Sequence, residues 1–308
     1  MLVFRGVPKQ ADQASVLTIG NFDGVHRGHQ ALLDRLVTLA RQLELPATVL
    51  TFEPHPREFF APESAPARLS ALREKLALLE ACGVDRVHVC RFNRRWASLS
   101  AQDFIDTILL QGLAVRHLLI GDDFRFGAGR AGDFALLQEA GAAAGFGVEA
   151  MHTVAVRDER ASSSAVRDTL LAGDLEHAAD LLGRPYCIAG RVIHGDKIGR
   201  KLGCPTANIA LKRRVVPLEG VFTVTVSGNG LADAAGVASV GTRPTVDGRG
   251  RVALEVHLLD WSADLYGAHL TVNFLHKLRD QVKYESLDAL QVQIARDVQD
   301  AKDYFLNR

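Results

Sequence analysis

Cysteine is scarce in this chain: Cys82, Cys90, Cys187 and Cys204 are the whole complement of 308 residues. Their irregular spacing excludes a disulfide framework or a zinc ribbon, so reduced thiols are expected. Charge of either sign is not in excess, because 36 basic residues meet 36 acidic ones. A zero balance argues against a protein that binds nucleic acid or a membrane surface in bulk, and it confines any phosphate site to a local cluster. Nowhere does an apolar run reach the length of a membrane span, and no basic, apolar, small-residue leader opens the sequence. A cytoplasmic protein is expected.

A hydrophobic content of 47% and a charged content of 23% are ordinary for a globular protein. The length exceeds the usual single domain, so two domains are expected. Up to about Gly183, short apolar runs alternate with helical patterns, which argues for βαβ units and a mostly parallel sheet. Strands are predicted at Val16–Ile19, Ala47–Phe52, Val87–Cys90 and Leu118–Ile120, and helices over Arg73–Leu79 and Phe104–Leu110. Beyond Gly183 the helical period gives way to short alternating runs at Tyr186–Ile193, Gly220–Val226, Gly236–Val240, Arg251–Leu259 and Leu270–Leu275. With a hairpin turn at Gly228, Asn229 and Gly230, these predict a small antiparallel barrel. A closing helix from Ser286 carries the stripe Leu290, Ile294, Val298, Ala301 and Phe305. The division is expected near Gly183–Pro185, giving domains 1–184 and 185–308.

The stretch Gly20–His29, GNFDGVHRGH, joins an apolar strand to an amphipathic helix. Gly20, Gly24 and Gly28 can take backbone angles closed to other residues and let a ligand approach the main chain. The helix N-terminus beyond them would face an anion with its unpaired N–H groups. His26 and His29, three apart, can turn toward one phosphate and donate to it as charge develops. Zinc would need further ligands, and none cluster nearby.

GNFDGVHRGH resembles the GxFDxxHxGH signature of the nucleotidyltransferase superfamily, which implies a Rossmann-like α/β domain. The superfamily's ISSTRIR motif is matched by Ala161–Arg167, ASSSAVR, with Ser162, Ser163 and Arg167 in place and Ala165 where the fuller pattern has an arginine. The resemblance implies ATP contacts from Gly20, Asn21, Phe22, Asp23, Gly24, Gly28, Ser162 and Ser163, and a pyrophosphate contact from Arg167. TFEPHP over residues 51–56 resembles a segment of bacterial FAD synthetase modules, as does GDDFRFG over residues 121–127. Within the latter, Asp123, Phe124, Arg125 and Phe126 are expected at the flavin. Gly127, Gly129 and Gly132 spell GxGxxG, but they do not directly follow their strand, so a dinucleotide fold is rejected.

The second constellation is GDKIGRKLGCPTANI, residues 195–209. It is no Walker A loop, since Lys201 precedes Leu202 rather than serine or threonine. Gly195, Gly199 and Gly203 can still expose main-chain N–H groups to a triphosphate while Lys197, Arg200 and Lys201 supply charge. Thr206 and Asn208, alternate residues of an extended segment, would aim their oxygens together at a magnesium ion. The segment resembles the glycine-rich loop and PTAN motif of riboflavin kinases, as do GTRPT (241–245), LEVHLLD (254–260) and LYG (265–267). That resemblance makes Glu255 the catalytic base and places Arg279 near the flavin. Gln281 and Ser239 depart from the glutamate and asparagine commoner there.

Taken together, the motifs resemble those of the prokaryotic bifunctional riboflavin kinases/FAD synthetases across nearly the whole chain. The resemblance implies ATP-dependent phosphorylation of riboflavin to FMN, adenylylation of FMN to FAD, and Mg2+ as cofactor. A decayed flavin-binding regulator is disfavoured by the intact Glu255, Thr206, Asn208, His26 and His29. A cytidylyltransferase acting on another substrate is disfavoured by the kinase motifs. Oligomeric state is left open.

Overall fold

The computed structural model describes residues 1–195, 204–213, 215–243 and 251–307. In chain order its elements are β1 (Leu2–Arg5), β2 (Ser15–Ile19), α1 (Arg27–Gln42), β3 (Ala47–Phe52), α2 (Pro56–Phe60), α3 (Leu72–Ala81) and β4 (Arg86–Cys90). Then come α4 (Arg94–Ala97), α5 (Ala101–Asp103), a π-helical segment (Phe104–Gly112), β5 (Val115–Gly121), α6 (Phe134–Ala144) and β6 (Gly147–Met151). The small hairpin β7 (Ala155–Val156) and β8 (Glu159–Arg160) leads to α7 (Ser163–Ala172) and α8 (Leu175–Leu182). The remaining strands are β9 (Tyr186–Ile193), β10 (Ala207–Ile209), β11 (Gly220–Gly228), β12 (Leu231–Arg243), β13 (Arg251–Leu258) and β14 (His269–Arg279), followed by α9 (Leu287–Leu306).

The chain forms two compact units, residues 1–66 with 72–162, and residues 67–71 with 163–308. Helices α7 and α8 therefore pack with the barrel, and the packing division falls at 162/163.

In the first unit a six-stranded sheet runs in the order β1-β4-β3-β2-β5-β6, with every pair parallel. Its central strands are apolar on both faces, as a sheet covered by helices on two sides requires. Leu17, Leu118 and Ile120 pack with Phe104, Ile105, Leu109 and Leu137, while Val16, Val49 and Leu119 pack with Leu33, Leu36 and Leu79. The chain builds outward from β2 through β3 to β4, then returns to β5 on the other side of β2. That reversal leaves a crevice at the carboxyl ends of β2 and β5, where ligands of such sheets bind.

Strand β1 and the segment after α5 are among the features that differ from the sequence expectation. Edge strand β1 was not predicted, because its four residues are exposed and carry no buried period. The helix expected over Phe104–Leu110 is a wider π-helix reaching Gly112. There the Thr107 hydroxyl donates to the Asp103 carbonyl at 2.6 Å and competes with the backbone ladder.

The second unit is a closed antiparallel barrel in the order β10-β13-β12-β11-β14-β9. Phe222, Val224, Val226, Leu254, Val256, Val272 and Phe274 are buried, and the Phe222 and Phe274 rings meet edge to face at 5.4 Å. Alternate residues of β11 and β12 face the other way: Val221 and Val237 pack with Val298 and Ala301 of α9. That helix starts where predicted, with the Ser286 hydroxyl capping the Ala289 N–H at 3.1 Å. Segment 67–71 is held in this unit through its carbonyls. Arg167 Nε donates to Ala67 at 2.6 Å, and Arg213 Nη1 donates to Arg68 and Leu69 at 3.3 and 3.0 Å.

Candidate functional sites

In the first unit, His26 caps α1, and its Nδ1 accepts from the His29 N–H at 3.4 Å. The two imidazoles stack at 3.7 Å, and Phe22 lies 5.0 Å from His29. Burial, then the charges of His26 and Lys75, hold the His29 pKa well below its ordinary value. His29 is thus neutral at pH 7. Its Nδ1 and the Oδ1 of Asn21 are buried without a hydrogen-bond partner among the described residues.

The glycines act differently from the sequence expectation. Of the three, only Gly24 takes a positive φ, at 82°. Phe22 and Val25 also occupy the left-handed region, at 48° and 42°, a strained choice for a β-branched residue and characteristic of a functional turn. Gly20 and Gly28 are needed for closeness instead. A Cβ on Gly20 would stand 3.1 Å from the Phe22 ring, and one on Gly28 would stand 3.1 Å from the Ala161 carbonyl and 3.2 Å from the His26 ring.

A cavity of 280 Å³ opens at the crevice. Gly20, Phe22, His26, Gly28 and His29 line it together with Asp122, Asp123, Phe124, Thr153, Arg160 and Ser162. Asp123 and Phe124 are therefore brought to the histidines. Arg125 is exposed and donates to the Phe124 carbonyl at 3.3 Å, while Phe126 is buried against Phe104 and Phe124. Asp23 is buried beside the turn. Ser163 and Arg167 belong to the other compact unit, where Arg167 Nη1 donates to the Ser163 carbonyl at 3.0 Å. Ala165 lies on the buried side of α7, so an arginine there would have to displace that packing.

Sequence reasoning missed Arg160, whose guanidinium reaches Asp122 at 3.2 Å and Asp123 at 3.4 Å. It also missed an aromatic group beyond β3 and β4. Phe52 meets Phe92 and Trp96 at 5.5 and 5.3 Å, and Phe59 and Phe60 each lie 5.6 Å from Phe92. These rings are non-periodic in the sequence. Just before Phe59, His55 and Glu58 form a reciprocal cap that starts α2. Trp96 and Pro54 also line a 740 Å³ cavity with Arg5, Arg91 and Arg95.

In the barrel, strand register assembles the second site. Asn208 pairs with Glu255, Glu255 with Ser239, Ser239 with Val221, and Val221 with Arg279. Directly paired residues share a face, so β10, β13, β12, β11 and β14 each add one residue to a single row. The Thr206 hydroxyl donates to Glu255 Oε2 at 3.4 Å, and the Pro205 carbonyl bonds to the His257 ring at 2.9 Å. A 570 Å³ cavity lies over the row, between the barrel and α9. A second cavity of 200 Å³ is lined by Trp261, Asp264 and Tyr266, and the Tyr266 ring lies 4.0 Å from His194. Thr206 lines both cavities.

Arg279 is held above its ordinary pKa chiefly by its hydrogen bonds to Asp297. Gln281 and Ser239, the two departures from the family pattern, touch each other: Gln281 Nε2 donates to Ser239 Oγ at 2.8 Å. Thr206, Asn208 and the neighbouring Glu255 form a hard-oxygen donor set that suits magnesium. Among the described residues no group of three or more His, Cys, Asp or Glu could hold a metal ion, so substrate phosphate would have to complete the coordination. A Cβ on Gly195 would strike the Asn208 side-chain amide. Lys197, Gly199, Arg200, Lys201 and Gly203 lie outside the described residues.

Among the described residues no helix is long and apolar enough to cross a membrane. Residues 8–165 match the family model for FAD synthetase, and residues 182–305 match that for riboflavin kinase. A bifunctional riboflavin kinase/FMN adenylyltransferase of Escherichia coli strain K12 is 52% identical over 99% of this chain and 98% of its own length. One from Pseudomonas fluorescens is 55% identical over 93% and 92%. A crystal structure titled as a macrolide-efflux protein from Streptococcus pneumoniae superposes with a TM-score of 0.83 at 29% identity, covering 98% of this chain and 99% of that one. With two fitting sites and matches along nearly its full length, the chain belongs to the family of bifunctional riboflavin kinase/FMN adenylyltransferases.

Proposed function

We propose that each of the two sites carries one of the family's activities, with the row across the barrel as the kinase centre and the crevice at β2 and β5 as the adenylyl-transfer centre. As a member of the family, the chain is a transferase that makes FMN from riboflavin and FAD from FMN, with ATP as co-substrate. Functionally, residues 1–184 serve adenylyl transfer and residues 185–308 serve phosphorylation. One observation carries the kinase assignment: Thr206 lines both barrel cavities, and its hydroxyl lies 3.4 Å from the Glu255 carboxylate. Riboflavin in the 570 Å³ cavity and the nucleotide in the 200 Å³ cavity would meet at that junction.

Glu255 takes the proton from the ribityl hydroxyl as that oxygen attacks the γ-phosphate of ATP. Thr206 and Asn208 are the residues to hold Mg2+, which when bound neutralises phosphate charge. Gly195, Lys197, Gly199, Arg200, Lys201 and Gly203 cradle the triphosphate. In the other centre the FMN phosphate attacks the α-phosphate of a second ATP, and pyrophosphate leaves. His26 and His29 donate hydrogen bonds to the reacting phosphate, supported by their stacking and by the unpaired Nδ1 of His29. Asn21, Gly24 and Gly28 bring main chain and an amide to the phosphates, and Ser162, Ser163 and Arg167 hold the leaving group. Asp123 and Phe124 meet the flavin end, with Arg160 fixing the two aspartates.

The test is reciprocal. Purified protein is given riboflavin, ATP and magnesium, or FMN, ATP and magnesium, and the flavins are separated by chromatography. Glu255→Gln lowers riboflavin phosphorylation by about a thousandfold and leaves FMN adenylylation intact, whereas His29→Ala does the reverse. Loss of both activities from either substitution in a folded protein would refute separate centres.

A further inference from the structure

The helix α9 contributes a buried acid to the larger barrel cavity. Asp297, 4% exposed, receives Nε and Nη2 of Arg279 at 2.8 and 2.7 Å. One turn earlier on the same helix, Gln293 donates to Asp297 Oδ1 at 2.9 Å. Arg279 Nη1 donates to the Asp280 carbonyl at 3.0 Å, and the Tyr284 ring lies 5.8 Å from the guanidinium. An arginine has five N–H donors in a rigid plane. Here the edge that usually recognises an anion is turned to Asp297. Three of the five N–H groups are thus taken by Asp297 and the Asp280 carbonyl, which leaves the cavity that both residues line the flat face of the guanidinium and at most two N–H groups.

Arg279 also sits at the far end of the row from the base. From Glu255 through Ser239 and Val221 to Arg279 is three strand spacings, or roughly 14 Å along the curved wall of the barrel. Arg279 is thus distant from the reacting hydroxyl and placed at the ring end of a flavin. Riboflavin carries no charge there, and its isoalloxazine is a large planar π system, which suits a stacked guanidinium better than an unpaired cation.

We propose that Asp297, backed by Gln293, is a positioning residue for riboflavin phosphorylation, pinning Arg279 so that its plane stacks on the isoalloxazine ring. This rests on the placement of riboflavin in the 570 Å³ cavity. The pairing settles the arginine rotamer before the flavin arrives, so its value appears in flavin affinity rather than in the chemical step.

The experiment compares Asp297→Asn, Gln293→Met, Arg279→Met and the Asp297→Asn/Arg279→Met double variant in the full chain. Steady-state phosphorylation and quenching of riboflavin fluorescence on binding are measured. Asp297→Asn raises the KM for riboflavin about tenfold and weakens quenching, with kcat changed less than about threefold and the KM for ATP unmoved. Gln293→Met keeps the ion pair and gives a smaller shift in the same direction, which preserves the test should Asp297→Asn fail to fold. The double variant is no worse than Arg279→Met alone, because the acid acts through the arginine.

Independent, multiplying effects in the double variant would overturn the inference, as would an equal loss in both substrates' KM and in kcat from Asp297→Asn. An unchanged riboflavin KM in Arg279→Met would go further and displace the flavin from this cavity.

Discussion

The two centres are built in opposite ways. At the crevice the site is a continuous stretch of main chain: a strained turn, a helix N-terminus and two stacked imidazoles within ten residues. On the barrel it is a row of side chains, one from each of five strands, brought level only by register. A slip of one residue in any of those strands would turn its contribution to the other face. The first site therefore depends on local backbone geometry, and the second on the whole barrel being closed in the right register.

Substitutions of glycine sharpen that contrast, since one glycine in each centre makes room for a functional side chain. The larger effect is expected at Gly195→Ala, where the added methyl would strike the Asn208 amide. Riboflavin phosphorylation should fall by about a hundredfold while FMN adenylylation persists, a loss comparable to misplacing a catalytic group by about 1 Å. Equal loss of both activities would mean that the barrel, not one side chain, had been disturbed.

Gly28→Ala is the counterpart in the crevice. Its methyl would meet the Ala161 carbonyl at 3.1 Å and the His26 ring at 3.2 Å, contacts a slight shift can relieve. Adenylylation is expected to drop about tenfold as the His26–His29 stack is displaced, with phosphorylation untouched. A fully active Gly28→Ala enzyme would show that the stack tolerates displacement and carries little of the chemistry.

The smallest effect concerns acid. Burial holds His29, His88 and His117 below the ordinary imidazole value, so the folded protein takes up protons less readily than the unfolded chain. Below about pH 6.5 the unfolded state binds protons that the folded state refuses. That contribution to stability is complete above this range and declines as the pH falls through it. Calorimetry from pH 7.5 to 5.5, limits chosen to span about one unit on either side, should show the melting midpoint falling by a few degrees. Replacing His88, whose Nδ1 bonds to the Gly6 carbonyl at 2.9 Å, by glutamine should make the slope shallower. A midpoint that rose on acidification would contradict neutral histidines.

The same contrast explains what could be read from the chain before its structure. GNFDGVHRGH is contiguous, so strand, turn, helix and histidines were all legible, although the left-handed positions fell on Phe22 and Val25 rather than mainly on glycine. The barrel strands were legible because each alternates, and Tyr186–Ile193 spans the same residues as the structural strand. Their register was not legible, since pairing depends on residues dozens of positions away. Neither the contact of Gln281 with Ser239 nor the partnership of Arg279 with Asp297 could be foreseen. Strand β1 was missed for a plainer reason: it lies exposed at an edge, and neither of its faces is buried.

Segment 67–71 constrains how such a protein could be divided. The polypeptide enters and leaves the barrel unit at 66/67 and 71/72 before joining it finally at 162/163. A gene split at 162/163 would strand Ala67, Arg68 and the buried Leu69 on one product, with their hydrogen-bond donors Arg167 and Arg213 on the other. The barrel fragment of such a split would lack residues 67–71, which the other fragment carries, and would not be a freestanding enzyme.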